Sequence, residues 1–343
     1  MKSLKIIYLI SVSVMFAFFS CQNTPAPEDV KAEVLTAEFI YETAPFPQCH
    51  ASTIVETEDG FLASWFGGTR EKNPDVCIYT SALTDGRWST PVLVADGIIN
   101  DTLRYPCWNP VLFKTNNGEI VLYYKVGPSP REWWGLYKVS ADNGNTWSDA
   151  VEIPDNLLGP IKNKPENLSD GTILYPTSFE TREKWNIYVE TSDEDLENWK
   201  KVDIDNNGFN AIQPTILFYS EGKIQMLCRS KEKKIVETWS SDNGKTWSPV
   251  EATSLVNNNS GIDAVTIKNG LHLLISNPVE KGRNKIDVKI SADGKNWFDL
   301  IVLEDQPEGE FSYPAIIEGS DGTIHITYTY NRKTVKYVHL KLM

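Results

Sequence analysis

Among its 343 residues the chain has only five cysteines and four histidines. Four of the cysteines, Cys49, Cys77, Cys107 and Cys228, are scattered through the body with no metal-ligand spacing, and no His-Glu-x-x-His, Walker or dinucleotide-binding phrase occurs. Metalloprotease, P-loop and Rossmann chemistries therefore find no support, and neither a metal nor an organic cofactor is expected. Positive charge is also short, with 33 Lys+Arg against 46 Asp+Glu and a net charge of −13. A phosphate backbone would be repelled, which argues against nucleic acid as a partner. Long helical periodicity is missing. The one long apolar run, Ile6 to Ser20, is too short to span a bilayer comfortably.

That run follows Lys2 and Lys5 and ends Phe18-Phe19-Ser20-Cys21, a small residue directly before Cys. The pattern reads as a secretory leader and resembles a bacterial lipoprotein cleavage box, with Cys21 as the lipidated residue; an ordinary leader with an incidental Cys is the alternative. Residues 22–36, rich in Pro, Ala and acid at their start, are expected to be a flexible tether, and 37–343 the folded body. The chain is then expected in the bacterial cell envelope, held to the membrane by its lipid and not spanning it. The remaining thiols sit in apolar or aromatic surroundings. They are expected to be free and buried, one or two disulfides being the alternative.

Aromatics are plentiful, with 11 Trp, 14 Tyr and 13 Phe. They punctuate a repeat. Ser140-Ala-Asp142-Asn-Gly144-Asn-Thr146-Trp147 recurs as Ser240-Ser-Asp242-Asn-Gly244-Lys-Thr246-Trp247, and one residue shorter as Ser291-Ala-Asp293-Gly294-Lys-Asn-Trp297. Weaker echoes are Thr84-Asp85-Gly86-Arg-Trp88 and Thr191-Ser-Asp193-Glu-Asp195 leading to Trp199. The closing tryptophans are 59, 52, 48 and 50 residues apart. A period near fifty is that of a four-stranded propeller blade. In each phrase Asp can cap the turn N–H groups, Gly supplies positive φ, and Trp pins the turn from beneath.

Between the turns, Gly118-Glu-Ile-Val-Leu-Tyr-Tyr124, Gly222-Lys-Ile-Gln-Met-Leu-Cys228 and Gly322-Thr-Ile-His-Ile-Thr-Tyr328 alternate as strands do. The fold class is all-β. Five marked blades leave 308–343, whose strands are expected to pair with an N-terminal strand near Ala37–Tyr41 and close a six-bladed β-propeller without free edges.

The Ser-x-Asp-x-Gly-x-Thr-Trp phrases resemble the Asp boxes of the sialidase (BNR/Asp-box) superfamily, over nearly all of 46–342. Cys49-His-Ala-Ser-Thr53, Trp65-Phe-Gly-Gly-Thr-Arg-Glu71, Gly127-Pro-Ser-Pro-Arg-Glu-Trp-Trp134, Leu227-Cys-Arg-Ser230 and Phe311-Ser-Tyr-Pro-Ala315 look like its bacterial and plant neuraminidase-like subgroup. The resemblance implies a sialidase-type propeller and a site of three arginines, an acid/base aspartate and a nucleophilic tyrosine activated by a glutamate. Position by position it implies Arg229 and Arg283 as the second and third arginines, Asp75 as acid/base and Tyr313 as nucleophile. Two positions depart from it. His50 stands where the first arginine is expected, and Gln213 stands near the activating glutamate and cannot take a proton. Arg70, Arg131, Lys162, Lys164, Asp263 and Glu237 complete the expected substrate-binding set. Bland alternatives stand beside these: inter-blade ion pairs for Arg229 and Arg283 with Glu237 and Asp263 as partners, core packing for Tyr313, a turn cap for Asp75, solvated charge for Arg70, Arg131, Lys162 and Lys164, and a backbone-satisfied strand end for His50. Trp133 and Trp134 could stack a sugar or pin a blade. His272, His325 and His339 read as structural.

The chemistry follows from charge. A carboxylate beside the reacting carbon of a sugar repels a carboxylate nucleophile, and a neutral tyrosine avoids that repulsion. Guanidinium forks match a sugar carboxylate. A histidine beside arginines should be neutral at pH 7. Three readings result: an exo-acting glycoside hydrolase on acidic (sialic- or uronic-acid-type) glycans; a uronate-directed polysaccharide lyase with His50 as base; or a non-catalytic glycan-binding propeller. In each the partner is an acidic oligosaccharide, and the protein is expected to be a monomer.

Overall fold

Alternating segments too short and too β-branched for helices pair with their chain neighbours, and the computed structural model, which describes residues 25–343, shows them as antiparallel sheets of four strands, with an extra strand in the first. Six of these sheets are the blades of a six-bladed β-propeller; a seventh, two-stranded, pairs Ile98–Asn100 with Leu103–Arg104. The innermost strands of the blades are Gln48–Glu56, Cys107–Lys114, Glu166–Asn167, Ala211–Phe218, Asp263–Thr266 and Phe311–Glu318. The leader and Cys21 lie outside the described residues. Among the described residues no helix is long and apolar enough to cross a membrane.

Closure follows the expected route but begins earlier in the chain. Ala32–Phe39 pairs antiparallel with Thr334–Leu342 and becomes the outer strand of the sixth blade. The tether drawn over 22–36 is therefore too long: Thr36 pairs with His339, and the pairing reaches back to Ala32 opposite Leu342. Alternation in Ala32–Phe39 is weak, because an outer strand buries little, and this concealed it in the sequence.

Six apolar clusters fill the ring, one at each blade interface, and a small seventh holds Trp108, Trp133 and Ile161. Leu62, Ile78, Leu112 and Leu122 join the first blade to the second, Val111, Tyr123, Ile173 and Tyr175 the second to the third, and Ile275, Val288, Ile316 and Ile326 the fifth to the sixth. The four cysteines of the body are free and buried.

Antiparallel pairing sorts the loops by function. The start of each innermost strand and the hairpin between second and third strands lie at one end, here called upper. The hairpin between third and fourth strands lies at the other. The Asp boxes are all lower-end turns. In two of them Ser140 or Ser240 bonds the Asp and Gly of its own turn, while Asp142 or Asp242 accepts both the N–H and the hydroxyl of Thr146 or Thr246, at 2.6 to 2.9 Å. Gly144 has φ +88°, and a Cβ there would lie 2.5 Å from Leu62 of the preceding blade. The echo at Asp85-Gly86 is not an Asp box: both residues have positive φ, as in a simple two-residue hairpin.

Candidate functional site

Four innermost strands break register at the same height, near their upper ends. Ala51, Asn109, Gln213 and Tyr313 each have positive φ, from 28° to 57°, and each sits in a bulge where the pairing shifts. In three of them the next residue is proline: Pro110, Pro214 and Pro314. Proline offers no N–H to the ladder, so the bulge costs the sheet little there. A bulge re-aims its side chain, and these bulges bring Gln213 and Tyr313 together near the propeller axis.

Tyr313 is the meeting point. Arg229 Nη1 donates to its hydroxyl at 2.8 Å, and Gln213 Nε2 reaches it at 3.5 Å. Arg229 Nη1 also donates to Gln213 Oε1 at 3.1 Å, and Nε and Nη2 to Asn259. The Arg229 and Arg283 guanidinium carbons each lie 5.6 Å from the Tyr313 ring centre. The His50 ring packs on Tyr313 with centroids 4.1 Å apart, and its Nδ1 bonds Thr329 Oγ1 at 3.0 Å. Burial, then the positive field of Arg332, Arg283, Arg229 and Lys162, hold His50 well below its usual pKa, so it is neutral.

The most strongly acting cation on His50 is Arg332, which stands in none of the family-like phrases of the sequence. It lies in the upper-end hairpin of the sixth blade. Glu310 Oε1 ties it to Arg283, at 2.7 Å from Arg332 Nε and 2.8 Å from Arg283 Nη1, and Glu71 holds Arg332 Nη1 at 2.8 Å. Burial works to raise the Glu310 carboxyl, but Arg332 and Arg283 outweigh it and keep it low. The fields of three guanidinium groups thus reach the histidine, two of them, Arg229 and Arg283, lying beside the tyrosine ring, and Arg332 comes from a different blade than the resemblance implies for a third arginine. Arg332 follows a turn asparagine and sits in no repeated phrase, so only the topology reveals it.

Asp75 and Arg70 are exposed in the upper-end hairpin of the first blade. Asp75 Oδ2 accepts Thr69 N and Oγ1 at 2.9 and 2.7 Å, and Arg70 Nε bonds Asn73 at 3.3 Å. Among the described residues neither contacts Tyr313. Arg131 is exposed in the equivalent hairpin of the second blade. It lines a cavity of about 520 Å³ with Trp133, Trp134, Phe179, Glu180 and Tyr188. Trp133 is buried against Trp108 and pins its blade. Burial raises the Glu180 carboxyl despite Arg229, Arg131, Lys231 and Lys72, cations from three blades that mark the rim of the mouth.

Four expected substrate-binding residues belong elsewhere. Glu237 is buried toward the lower end, where it pairs with Lys295 beside the Asp box and accepts Gln225 Nε2. Asp263 is 2% exposed and joins blades: it holds Lys164 at 3.2 Å and accepts Thr215 Oγ1 at 2.8 Å and Ile316 N at 2.9 Å. Lys162 is buried with its ammonium spent on Ile262 O, Pro314 O and Asn163 Oδ1. Lys164 is spent on Asp263 and Ala264 O. Their charges have no capacity left for a sugar; sequence alone cannot separate such inward lysines from a cationic rim. Nor do Glu237 and Asp263 pair with Arg229 or Arg283. His272 and His325 are buried structural residues, and His339 stacks on His325. Among the described residues no group of three or more His, Cys, Asp and Glu is placed to hold a metal.

A family model described as a BNR repeat-like domain matches residues 59–326. No curated protein matches. Solved structures similar in fold include a Dyadobacter fermentans protein of unknown function (14% identity, TM-score 0.76, covering 91% of this chain and 99% of that one). They also include the NanB sialidase of Streptococcus pneumoniae (13%, 0.71, 89% and 70%) and the leech intramolecular trans-sialidase (13%, 0.69, 91% and 70%).

Proposed function

Since the chain belongs to the BNR repeat-like domain family, on a six-bladed propeller like that of sialidases, we propose that it is an exo-acting glycoside hydrolase on acidic glycans, with Tyr313 as nucleophile. The observation that carries this reading is the Tyr313 hydroxyl, held 2.8 Å from Arg229 Nη1, with the Arg229 and Arg283 guanidinium groups both over its ring. A neutral phenol is a weak nucleophile, so its oxygen needs cations or a base beside it as it attacks. Gln213 supplies no base, and Arg229 and Arg283 supply the cations.

In the first step the Tyr313 oxygen bonds the anomeric carbon as the bond to the leaving oxygen breaks. The phenol proton passes to water, and Asp75 protonates the departing oxygen. Water then attacks the glycosyl-tyrosine, losing its proton to Asp75, as the bond to the Tyr313 oxygen breaks; the phenolate takes a proton back from water and the sugar is freed. The substrate carboxylate would lie against Arg283 and Arg332, whose remaining N–H groups bond no acceptor among the described residues; those of Arg229 are mostly used on Asn259, Gln213 and Tyr313.

One observation favours a second reading. Gln213 at the activating position suits a propeller that binds acidic glycans without cleaving them. The lyase reading draws less support, since His50 is 2% exposed and packed behind Tyr313.

The test uses 4-methylumbelliferyl glycosides of a sialic acid and of glucuronic acid. The wild type should release the fluorophore, Tyr313→Phe should lose at least ~10³-fold in kcat while still binding the free acid sugar, and Gln213→Glu, which restores a base, should be faster than wild type. Full turnover in Tyr313→Phe would remove the hydrolase reading; saccharide binding with no turnover in any variant would favour the binder.

A further inference from the structure

The loop that enters the third blade crosses to the far side of the ring. Lys162 and Asn163 lie on it, both buried, at 3% and 2% exposure. The Lys162 ammonium has three N–H groups and three acceptors: Asn163 Oδ1 at 2.7 Å, Ile262 O of the fifth blade's approach at 2.9 Å, and Pro314 O of the sixth blade. Asn163 Nδ2 in turn donates to Gln213 O at 3.0 Å and Pro214 O at 2.9 Å, in the fourth blade. The acceptors are not arbitrary. Pro314 and Pro214 are the second residues of the two bulges that present Tyr313 and Gln213, and both bulges hold a non-glycine residue at positive φ, +52° and +55°. Such a conformation costs ~1–3 kcal/mol and persists only where surroundings over-determine it.

The space around Lys162 is closed. A Cβ on Gly261 would lie 3.2 Å from Lys162 Cε and 3.3 Å from the Tyr313 ring, so the glycine packs against both the lysine stem and the ring. Burial pushes the Lys162 ammonium down to about 7, with Asp263 opposing that shift and Lys164 and Arg229 adding to it. A cation so placed is an expensive way to fill a channel that a leucine could fill.

We infer that Lys162, with Asn163, is a positioning pair for the reaction proposed above: by gripping the carbonyls of both bulges it fixes the Tyr313 hydroxyl against Arg229 and sets its spacing from Gln213. This inference rests on that proposed role for Tyr313, but its geometric content is independent of it. Neither residue touches substrate.

Lys162→Met keeps the stem and removes all three donors. Crystal structures of the wild type and this variant give the direct readout. The expected result is that the Tyr313 bulge relaxes and the Arg229 Nη1–Tyr313 oxygen contact opens beyond hydrogen-bond distance. With the 4-methylumbelliferyl substrates, assayed well below the melting temperature, kcat should fall ~10- to 100-fold while KM stays within about twofold, because the arginines that hold the carboxylate are untouched. An unchanged Tyr313 position in a folded Lys162→Met protein overturns the inference, whether or not the wild type turns over. Should Lys162→Met fail to fold, Asn163→Ala decides: Gln213 should then move while Tyr313 stays on Arg229, and an unmoved Gln213 overturns it. An inactive wild type with the expected displacements would count against the hydrolase reading alone.

Discussion

His50 shows how much one buried side chain can make stability depend on pH. Its ring contacts Tyr313 and Phe66, and Thr329 takes its Nδ1. Burial and four cations lower its pKa well below 6.5 in the folded state, whereas the unfolded chain returns it to about 6.5. The unfolded state therefore binds the extra proton between those values. The stability His50 contributes is complete above about pH 6.5 and falls as the pH drops below it, by at most ~1.4 kcal/mol per pH unit for one proton. His272 and His325, each pushed down to about 4 chiefly by burial, act in the same direction, while Asp287, raised to about 6 mainly by burial, acts oppositely. Wild-type slopes alone cannot isolate His50, but a difference can. His50→Gln, which can still bond Thr329, should lose less stability than wild type between pH 6.5 and 5 in urea titrations, by about one proton's worth of slope. Parallel curves would mean that His50 is not neutral in the folded protein.

At the scale of the element, the Asp box is the unit that was most legible and most mechanical. Asp242 accepts Thr246 N at 2.9 Å and Thr246 Oγ1 at 2.6 Å and takes Ser240 Oγ at 2.8 Å. These bonds, those from Thr246 above all, lower its carboxyl to about 2. Asp242→Ala should cost about 1–2 kcal/mol in urea unfolding, as loss of a helix N-cap does. Asp85→Asn, in a hairpin without such bonds and with a residue that tolerates positive φ, should stay within ~0.5 kcal/mol. Equal losses would deny the box its bonds. The same contrast explains what reading the sequence could reach. Asp, Gly and Trp at fixed offsets name a turn because each has a local reason to be there. The bulges were also written in the chain, as Asn109-Pro110, Gln213-Pro214 and Tyr313-Pro314, but a proline after a polar residue marks many turns and acquires its meaning only once the ladder shows a missing N–H. Arg332 and Glu310 left no local mark. Their pairing depends on a hairpin and a strand entry brought together by the closed ring.

Across the whole molecule, Asp263 adds a polar tie between the apolar clusters, its neighbours Ile262 and Ala264 belonging to one and its partner Ile316 to another. Its two oxygens take Lys164 from the approach to the third blade, Thr215 of the fourth and Ile316 N of the sixth, while the residue itself opens the innermost strand of the fifth. Four consecutive blades therefore meet at one carboxylate that is 2% exposed. Sequence reading put Asp263 and Lys164 in the sugar-binding set, with an inter-blade pair for Asp263 and solvated charge for Lys164 as alternatives, because a charged residue near a strand end looks the same whether it points into a mouth or across a seam. Desolvating this pair is costly, and its attraction repays the cost only while both partners and their hydrogen bonds stay intact. Asp263→Asn keeps the volume but leaves Lys164 without its counter-charge, and should lower stability by about 3 kcal/mol. Lys164→Met leaves the buried carboxylate without its direct partner, with only the field of Lys162 to offset it, and should cost a similar amount. The double variant should then lose clearly less than the sum, by ~1–3 kcal/mol of coupling, since neither charge is left stranded. Equilibrium unfolding of the four proteins measures that cycle. Strict additivity would mean that the ring is held by its six apolar seams alone and that Asp263 merely occupies the axis.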